Sequence, residues 1–293
     1  MNKIFALGFF DGVHLGHQAL LARCCAMARE LDAQACAITF QQHPQSLFLA
    51  NPPKLINSCE DRLLLLRQYG IGPVISYPVV EETMSMPWEA FLNELVSFDA
   101  AGFVCGSDFR FGNRGEGNAQ KLAAYCRERN LACCIVEEQL LDGIRVSSTH
   151  IRKLLEAGEM EEAVRFSGHP HILTGPVVPG RALGRTMGIP TANIAVSEEV
   201  VLPKSGVYAC RARVVGETYC AVTNIGSRPT VGGSHITVEP WLLDYEGDLY
   251  GKPLTLEFYK FLRPEKKFDS LELLQAEILR NAEQTRQYFA HMQ

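Results

Sequence analysis

The segment Gly8-Phe9-Phe10-Asp11-Gly12-Val13-His14-Leu15-Gly16-His17 places two imidazoles three positions apart in a glycine-rich run. Residues at i and i+3 share one face of a helical turn. Paired imidazoles can donate hydrogen bonds to phosphate oxygens and stabilise charge that develops there. The spacing alone suits a metal pair or two surface histidines equally well. The surroundings favour phosphate, because a short apolar run (residues 4–7) precedes the glycines and a helical pattern follows. Glycine permits a tight turn and close backbone approach. The helix N-terminus then presents free N–H groups and a positive dipole end to an anion.

Ser147-Ser148-Thr149-His150-Ile151-Arg152 is a second anion-binding pattern. Hydroxyls followed one turn later by a guanidinium suit a triphosphate, since the guanidinium fork pairs with oxyanions. A plain helix N-cap is the competing reading. A third run, Gly184-Arg185-Thr186-Met187-Gly188-Ile189-Pro190-Thr191-Ala192-Asn193, lacks the lysine of the usual phosphate-binding loop. Thr191 and Asn193 can still offer two oxygens to Mg²⁺ and phosphate, although a turn before a strand uses the same residue types.

The elements that must position these groups change character along the chain. Residues 4–7, 35–40, 74–77, 102–106 and 133–136 read as buried strands. Between them lie helical patterns: Leu20, Cys24, Met27, Ala28 and Leu31 on one face, then 60–69 closed by Gly70, 88–96, and 118–129 capped by Asn118. Apolar strands alternating with helices predict an α/β domain whose parallel sheet is covered on both faces. Ligands in such domains sit beyond the carboxyl ends of the strands. After helices at 149–156 and 161–166, strand-like runs at 172–178, 206–214, 219–224, 236–243 and 254–261 are separated by Gly- and Pro-rich turns. That pattern predicts a small barrel or sandwich. A last helix starts at a capping-box-like Asp269/Glu272 pair and turns Leu271, Leu274, Ile278 and Ala282 inward. A boundary near residue 168 gives domains 1–167 and 168–293, as a length of 293 suggests.

Composition removes other classes. With 47% hydrophobic and 21% charged residues the chain can bury a sizeable core. A net charge of −5 argues against a nucleic-acid partner. The longest aliphatic run, 63–66, is too short for a membrane span, and Asp11 interrupts the apolar N-terminus too early for a signal peptide. Ten cysteines without any Cys-x-x-Cys point to reduced core thiols and a cytoplasmic protein.

The motifs also carry a resemblance. His14-Leu15-Gly16-His17 resembles the H-x-G-H signature of nucleotidyltransferases, and the wider string is similar to the FMN adenylyltransferase module of bacterial bifunctional riboflavin kinase/FAD synthetases. Gly106-Ser107-Asp108-Phe109-Arg110-Phe111-Gly112 resembles that family's flavin-side loop, and the 147–152 run its second phosphate signature. Gly188-Ile189-Pro190-Thr191-Ala192-Asn193 is similar to the riboflavin kinase signature. Ser205-Gly206-Val207-Tyr208, Asn224-Ile225-Gly226, Arg228-Pro229-Thr230, Asp248-Leu249-Tyr250-Gly251 and Arg263-Pro264-Glu265-Lys266-Lys267-Phe268-Asp269 follow in the family's order. The resemblance spans nearly the whole chain.

It implies a Rossmann-like nucleotidyltransferase domain with a parallel sheet, followed by a small antiparallel β-barrel with a C-terminal helix. It further implies phosphorylation of riboflavin by ATP to FMN, then adenylylation of FMN by ATP to FAD and pyrophosphate. Carried onto this sequence, His14, His17, Arg152 and Glu239 are catalytic. Gly8, Phe10, Asp11, Gly12, Gly16, Ser148, Thr149, Gly184, Arg185 and Gly188 bind ATP or phosphate. Asp108, Phe109, Phe111, Arg263 and Phe268 bind flavin, with a core role equally suited to one of Phe109 and Phe111, while Thr191 and Asn193 hold Mg²⁺. His43-Pro44 is a secondary feature of the same kind. The sequence departs from the family at Trp241, where histidine is common, and at Pro240, which removes a backbone donor beside Glu239. Riboflavin, FMN, FAD and ATP are the expected partners, of a monomer or weak oligomer. Two other readings stay open: a monofunctional FMN adenylyltransferase with an inactive barrel, and a flavin-binding regulatory protein.

Overall fold

The apolar run that opens the chain folds as β1 (Lys3–Leu7), and the glycine-rich segment leads from it into α1 (Leu15–Glu30). A computed structural model describes residues 1–180, 188–230 and 233–292. In chain order there follow β2 (Gln34–Phe40), a 3₁₀ turn (Pro44–Leu47), α2 (Cys59–Gln68), β3 (Val74–Tyr77), α3 (Glu81–Met84), α4 (Trp88–Ser97) and β4 (Ala100–Gly106). A hairpin of β5 (Arg110–Phe111) and β6 (Gly117–Asn118) precedes α5 (Ala119–Glu128) and β7 (Ala132–Val136). A second hairpin pairs β8 (Leu140–Leu141) with β9 (Ile144–Arg145). The chain divides into two compact units, Met1–Leu55 with Cys59–His150 and Ile56–Ser58 with Ile151–Gln293.

In the first unit the sheet order is β3-β2-β1-β4-β7, and every pairing is parallel. β1 is the pivot: the chain leaves it for β2 on one side and returns to its other side as β4. The switch point therefore lies beyond Leu7, where such sheets bind ligands. Ile4, Phe5, Ala6 and Leu7 are buried because helices cover both faces. Phe5, Ile38 and Phe103 pack with Leu92 and Leu95 of α4 and Leu122 of α5. Asn118 caps α5, its Oδ1 accepting the Lys121 N–H at 2.9 Å. Leu31, expected on the buried face of α1, is 44% exposed, because α1 ends at Glu30 and Asp32 turns the chain with a left-handed φ of 47°.

Helices α6 (Ser148–Ala157) and α7 (Met160–Ser167) lead to β10 (His171–Val178), β11 (Asn193–Ile194), β12 (Gly206–Val214), β13 (Glu217–Thr230), β14 (Gly233–Leu242) and β15 (Pro253–Arg263). Among the described residues these strands close a barrel in the order β10-β11-β14-β13-β12-β15, which resolves the barrel-or-sandwich ambiguity. Register shifts at Val207/Tyr208 and Ala209/Cys210 mark bulges between β12 and β15, a usual device where a sheet must curve. β13 runs on to Thr230, beyond the expected end at residue 224, because its ladder with β14 continues to the Thr230–Gly233 pair. The final helix, α8 (Leu271–Ala290), is capped by Ser270, whose Oγ accepts the Leu273 N–H at 3.3 Å. Asp269 is thus not the cap, and Leu271 is 63% exposed. Leu274 and Ile278 are half-buried and line the barrel cavity, Ala282 is buried as expected, and Asn281, Thr285 and Phe289 complete the inward seam. All ten cysteines are free.

Burial of an ionisable group in the barrel has a measurable consequence. His171, at the start of β10, is shielded from water beside Phe258. Burial, aided by the nearby His169, pushes its pKa down to about 3. An unfolded imidazole titrates near about 6.5. Between these values only the unfolded chain takes the proton, so stability is complete above roughly pH 6.5 and falls as pH drops, by at most about 1.4 kcal/mol per unit. His171→Gln should flatten this slope. Urea midpoints between about pH 7.5 and 5, read from Trp241 fluorescence in a Trp88→Phe background, check the barrel alone. An unchanged slope would contradict the assignment.

Candidate active sites

His14 is the N-cap of α1, in extended conformation, and its Nδ1 accepts the His17 N–H at 3.3 Å. The two rings lie stacked, centroids 3.7 Å apart and 13° from parallel, and the Phe10 ring meets His17 edge-on at 5.3 Å. Burial first, then His14 and then Arg62, holds the His17 pKa well below the ordinary imidazole range. His17 is therefore neutral near pH 7, with one N–H donor available.

The turn ahead of α1 is wound tightly. Phe10, Gly12 and Val13 take left-handed φ values of 57°, 82° and 35°. For the two non-glycine residues that conformation costs on the order of 1–3 kcal/mol each. The surroundings hold it: Val13 N–H bonds to Phe10 O at 3.1 Å, the Thr39 hydroxyl and Arg62 both donate to Phe9 O, and Ser148 Oγ donates to Asp11 O at 2.8 Å. The last bond ties the start of α6 to the glycine-rich turn. A Cβ on Gly16 would sit 3.2 Å from His14 Cε1, so glycine there lets the imidazole lie over the first turn.

These residues open onto a cavity of about 950 Å³ beyond the carboxyl ends of β1, β2, β4 and β7. Gly8, His14, Gly16, His17, Ser148 and Thr149 line it, as do Asp108, Phe109 and Phe111. Phe10, Asp11 and Gly12 are buried and lie outside its lining. Arg152 follows on the next turn of α6, half-buried. Phe109 and Phe111 stack at 5.6 Å and 16°, with Phe111 in the core against Phe91 and Phe109 less buried. The Asp108 carboxylate pairs with Arg145, which also reaches Glu138 at 2.9 Å. His43 caps the 3₁₀ turn, its Nδ1 accepting the Gln45 N–H at 3.1 Å, with its ring edge-on to Phe9. No motif flagged Arg62 or Arg145: one lies in a helix among other charged residues, the other in a short hairpin.

In the barrel, Glu239 of β14 faces Asn224 of β13 across the ladder, and its Oε1 accepts the Thr237 hydroxyl at 2.9 Å. A second cavity, about 280 Å³, is lined by Thr191, Asn224, Glu239, Arg263, Lys266 and Phe268, with Trp241 and residues of α8. The Arg263 guanidinium lies 5.6 Å from the Phe268 centroid, and its Nε donates to Asn281 Oδ1 at 3.0 Å. Asn281 went unflagged in the sequence because a lone helix asparagine carries no pattern; only its burial, 1% exposed, reveals it. Asn193 opens β11 against Gly180, and Gly188 is exposed with a φ of 70°; neither lines the cavity. Gly184 and Arg185 lie outside the described residues.

Pro240 does not break the ladder. Its carbonyl accepts the Ala192 N–H at 2.8 Å, so the Pro240 backbone faces β11. In a strand, N and C=O of one residue point to the same edge, and alternate residues pair without ladder hydrogen bonds. The missing N–H therefore falls on the side of the two-residue β11, and the β13–β14 bonds that flank Glu239 are kept.

Among the described residues no group of three or more His, Cys, Asp or Glu side chains is placed to hold a metal ion, and no helix is long and apolar enough to cross a membrane. A family model described as FAD synthetase matches residues 1–150, and one described as riboflavin kinase matches residues 167–289. A Listeria monocytogenes protein named bifunctional riboflavin kinase/FMN adenylyltransferase is 36% identical over 298 positions, spanning 100% of this chain and 94% of its own. A Bacillus subtilis protein of the same name is 31% identical, over 99% and 94%. A crystal structure described as a macrolide-efflux protein from Streptococcus pneumoniae superposes with a TM-score of 0.87 and 27% identity, covering 97% of this chain and 94% of that one.

Proposed function

This chain belongs to the bifunctional riboflavin kinase/FMN adenylyltransferase family, and from that premise we infer how its two sites divide the work. The protein phosphorylates riboflavin to FMN and adenylylates FMN to FAD. We assign the adenylyltransferase to residues 1–167 and the kinase to 168–293, in the cytoplasm, as a monomer or weak oligomer. The observation that carries the division is that each signature set lines a cavity of its own, His14/His17/Ser148/Thr149 in one and Thr191/Glu239/Arg263/Phe268 in the other.

In adenylyl transfer an FMN phosphate oxygen forms a bond to the α-phosphorus of ATP while the α–β bridge breaks and pyrophosphate leaves. The nucleophile is already anionic, so positioning and charge neutralisation do the work. His14, His17, Ser148, Thr149 and Arg152 supply donors and charge to the phosphates. The turn formed by Gly8, Phe10, Asp11, Gly12 and Gly16 shapes the helix N-terminus that receives them. Phe109, Phe111 and Asp108 border the flavin.

In the kinase the ribityl hydroxyl attacks the γ-phosphorus and ADP departs; Glu239 takes the hydroxyl proton as general base. We assign Arg263 and Phe268 to the flavin, and Gly184, Arg185 and Gly188 to ATP. Thr191 and Asn193 would hold Mg²⁺; of the two only Thr191 lines the cavity, which Glu239 also lines, and these oxygen donors suit that ion. When bound, it neutralises phosphate charge.

Incubating the pure protein with riboflavin, ATP and Mg²⁺ tests the whole reading. FMN and then FAD should form, with ADP and pyrophosphate. Recovery of riboflavin unchanged while supplied FMN is converted would point to an inactive barrel. Flavin binding without any turnover would point to a regulatory protein.

A further inference from the structure

Arg62 of α2 belongs to none of the recognised motifs, yet it is the largest of the fully buried side chains, at 0% exposed. A buried guanidinium is costly unless its donors are satisfied. Here Nη1 donates to Phe9 O at 3.2 Å, and Nη2 donates to Phe40 O at 2.7 Å and Gln41 O at 3.3 Å, while the buried Nε has no nitrogen or oxygen partner. Its Cζ lies 4.6 Å from the Phe9 ring centroid. Phe9 lies just past β1, on the turn that leads to His14 and His17, whereas Phe40 and Gln41 lie at the end of β2. A residue meant only to fill space would be cheaper as leucine or methionine.

We propose that Arg62 is a positioning residue for adenylyl transfer, clamping the Phe9 turn to the end of β2 so that the stacked His14/His17 pair meets the phosphates in one fixed geometry. This rests on reading that cavity as the adenylyltransferase site. Its planar fork reaches three carbonyls on two segments at once, which the single ammonium of lysine cannot reproduce. Its charge has a second effect. The titratable groups acting on His17 are His14 and Arg62, and both disfavour a proton there; Asp11 in turn acts on Arg62. Arg62 therefore helps keep His17 neutral before the nucleotide arrives.

Three variants test this in the full-length protein. Arg62→Lys should lower kcat for FMN to FAD by about 10- to 100-fold, the scale of a misplacement near 1 Å. The KM values for ATP and FMN should stay within about threefold, and riboflavin phosphorylation should be unchanged. Arg62→Met should also move the acid limb of the kcat/KM profile for adenylyl transfer upward. If that variant does not fold, judged by circular dichroism, Arg62→Lys alone decides. In a His17→Ala background Arg62→Lys should cost far less than in the native one, because the clamp acts through the imidazole. A rise in KM with kcat unchanged, or full additivity with His17→Ala, assigns Arg62 to packing and overturns the proposal. If His17→Ala itself leaves FAD formation intact, the reading of the cavity fails instead.

Discussion

His17→Ala arrests the enzyme at FMN: given riboflavin and MgATP, FMN accumulates and the rate of FAD formation falls by about 10²–10³, the loss seen when one preorganised donor is removed from a transition-state site. That corresponds to roughly 3–4 kcal/mol of barrier. The geometry explains the expected size. The imidazole is held on three sides, by the His14 ring stacked at 3.7 Å, by Phe10 edge-on, and by the first turn of α1, whose His17 N–H bonds to His14 Nδ1. Little reorganisation is needed when charge develops on the phosphates. Because that charge is greatest in the transition state, kcat should fall much more than KM for ATP rises. His14→Ala should act in the same direction, with an added penalty from loss of the α1 cap. Separating the flavins by chromatography over time checks the result. FAD formation within about threefold of the native rate in a well-folded variant would remove His17 from the chemistry.

Much of this site could be read from the sequence because its signals are local. Glycines beside a strand end, a helix start and two histidines at i and i+3 all fall within ten residues, and Ser148 and Thr149 open another helix in the same manner. The strand-and-helix alternation of the first unit was legible for the same reason, since each element carries its own periodicity. What escaped were contacts made by residues distant in sequence. Arg62 reaches Phe9 across 53 positions and Asn281 reaches Arg263 across 18. Neither leaves a trace in its own neighbourhood. The helix-cap error at Asp269 has a smaller cause: two adjacent residues, Asp269 and Ser270, both suit an N-cap, and only the bond to the Leu273 N–H chooses between them. β13 extends past residue 224 because the barrel ladder carries Gly226 and Pro229, residue types common in turns, within a strand.

Glu239→Gln produces the mirror image. Riboflavin with MgATP should yield FMN about 10²–10⁴ times more slowly, the usual contribution of a general base, while FMN supplied directly should become FAD at the native rate. An alcohol has to lose its proton as it attacks the γ-phosphorus, and of Glu239 and Glu265, the two carboxylates that line the barrel cavity among the described residues, Glu239 is the one proposed as the base. Thr237 donates to its Oε1, which fixes the rotation of the carboxylate. Glutamine keeps the volume and can still accept from Thr237, so the variant removes proton acceptance with little else. The KM for riboflavin should therefore change little, because Arg263 and Phe268, lining the same cavity, are untouched. The departures at Pro240 and Trp241 do not weaken this expectation. Pro240 turns its missing donor toward the short β11, and Trp241 pairs with Val222 in the ladder without displacing Glu239 from its register opposite Asn224. Had proline stood at 241 instead, its absent N–H would have faced β13 and opened the ladder beside the proposed base. Riboflavin phosphorylation at an undiminished rate in Glu239→Gln would show that some other group takes the proton. Loss of both activities together would show that the two sites are not independent.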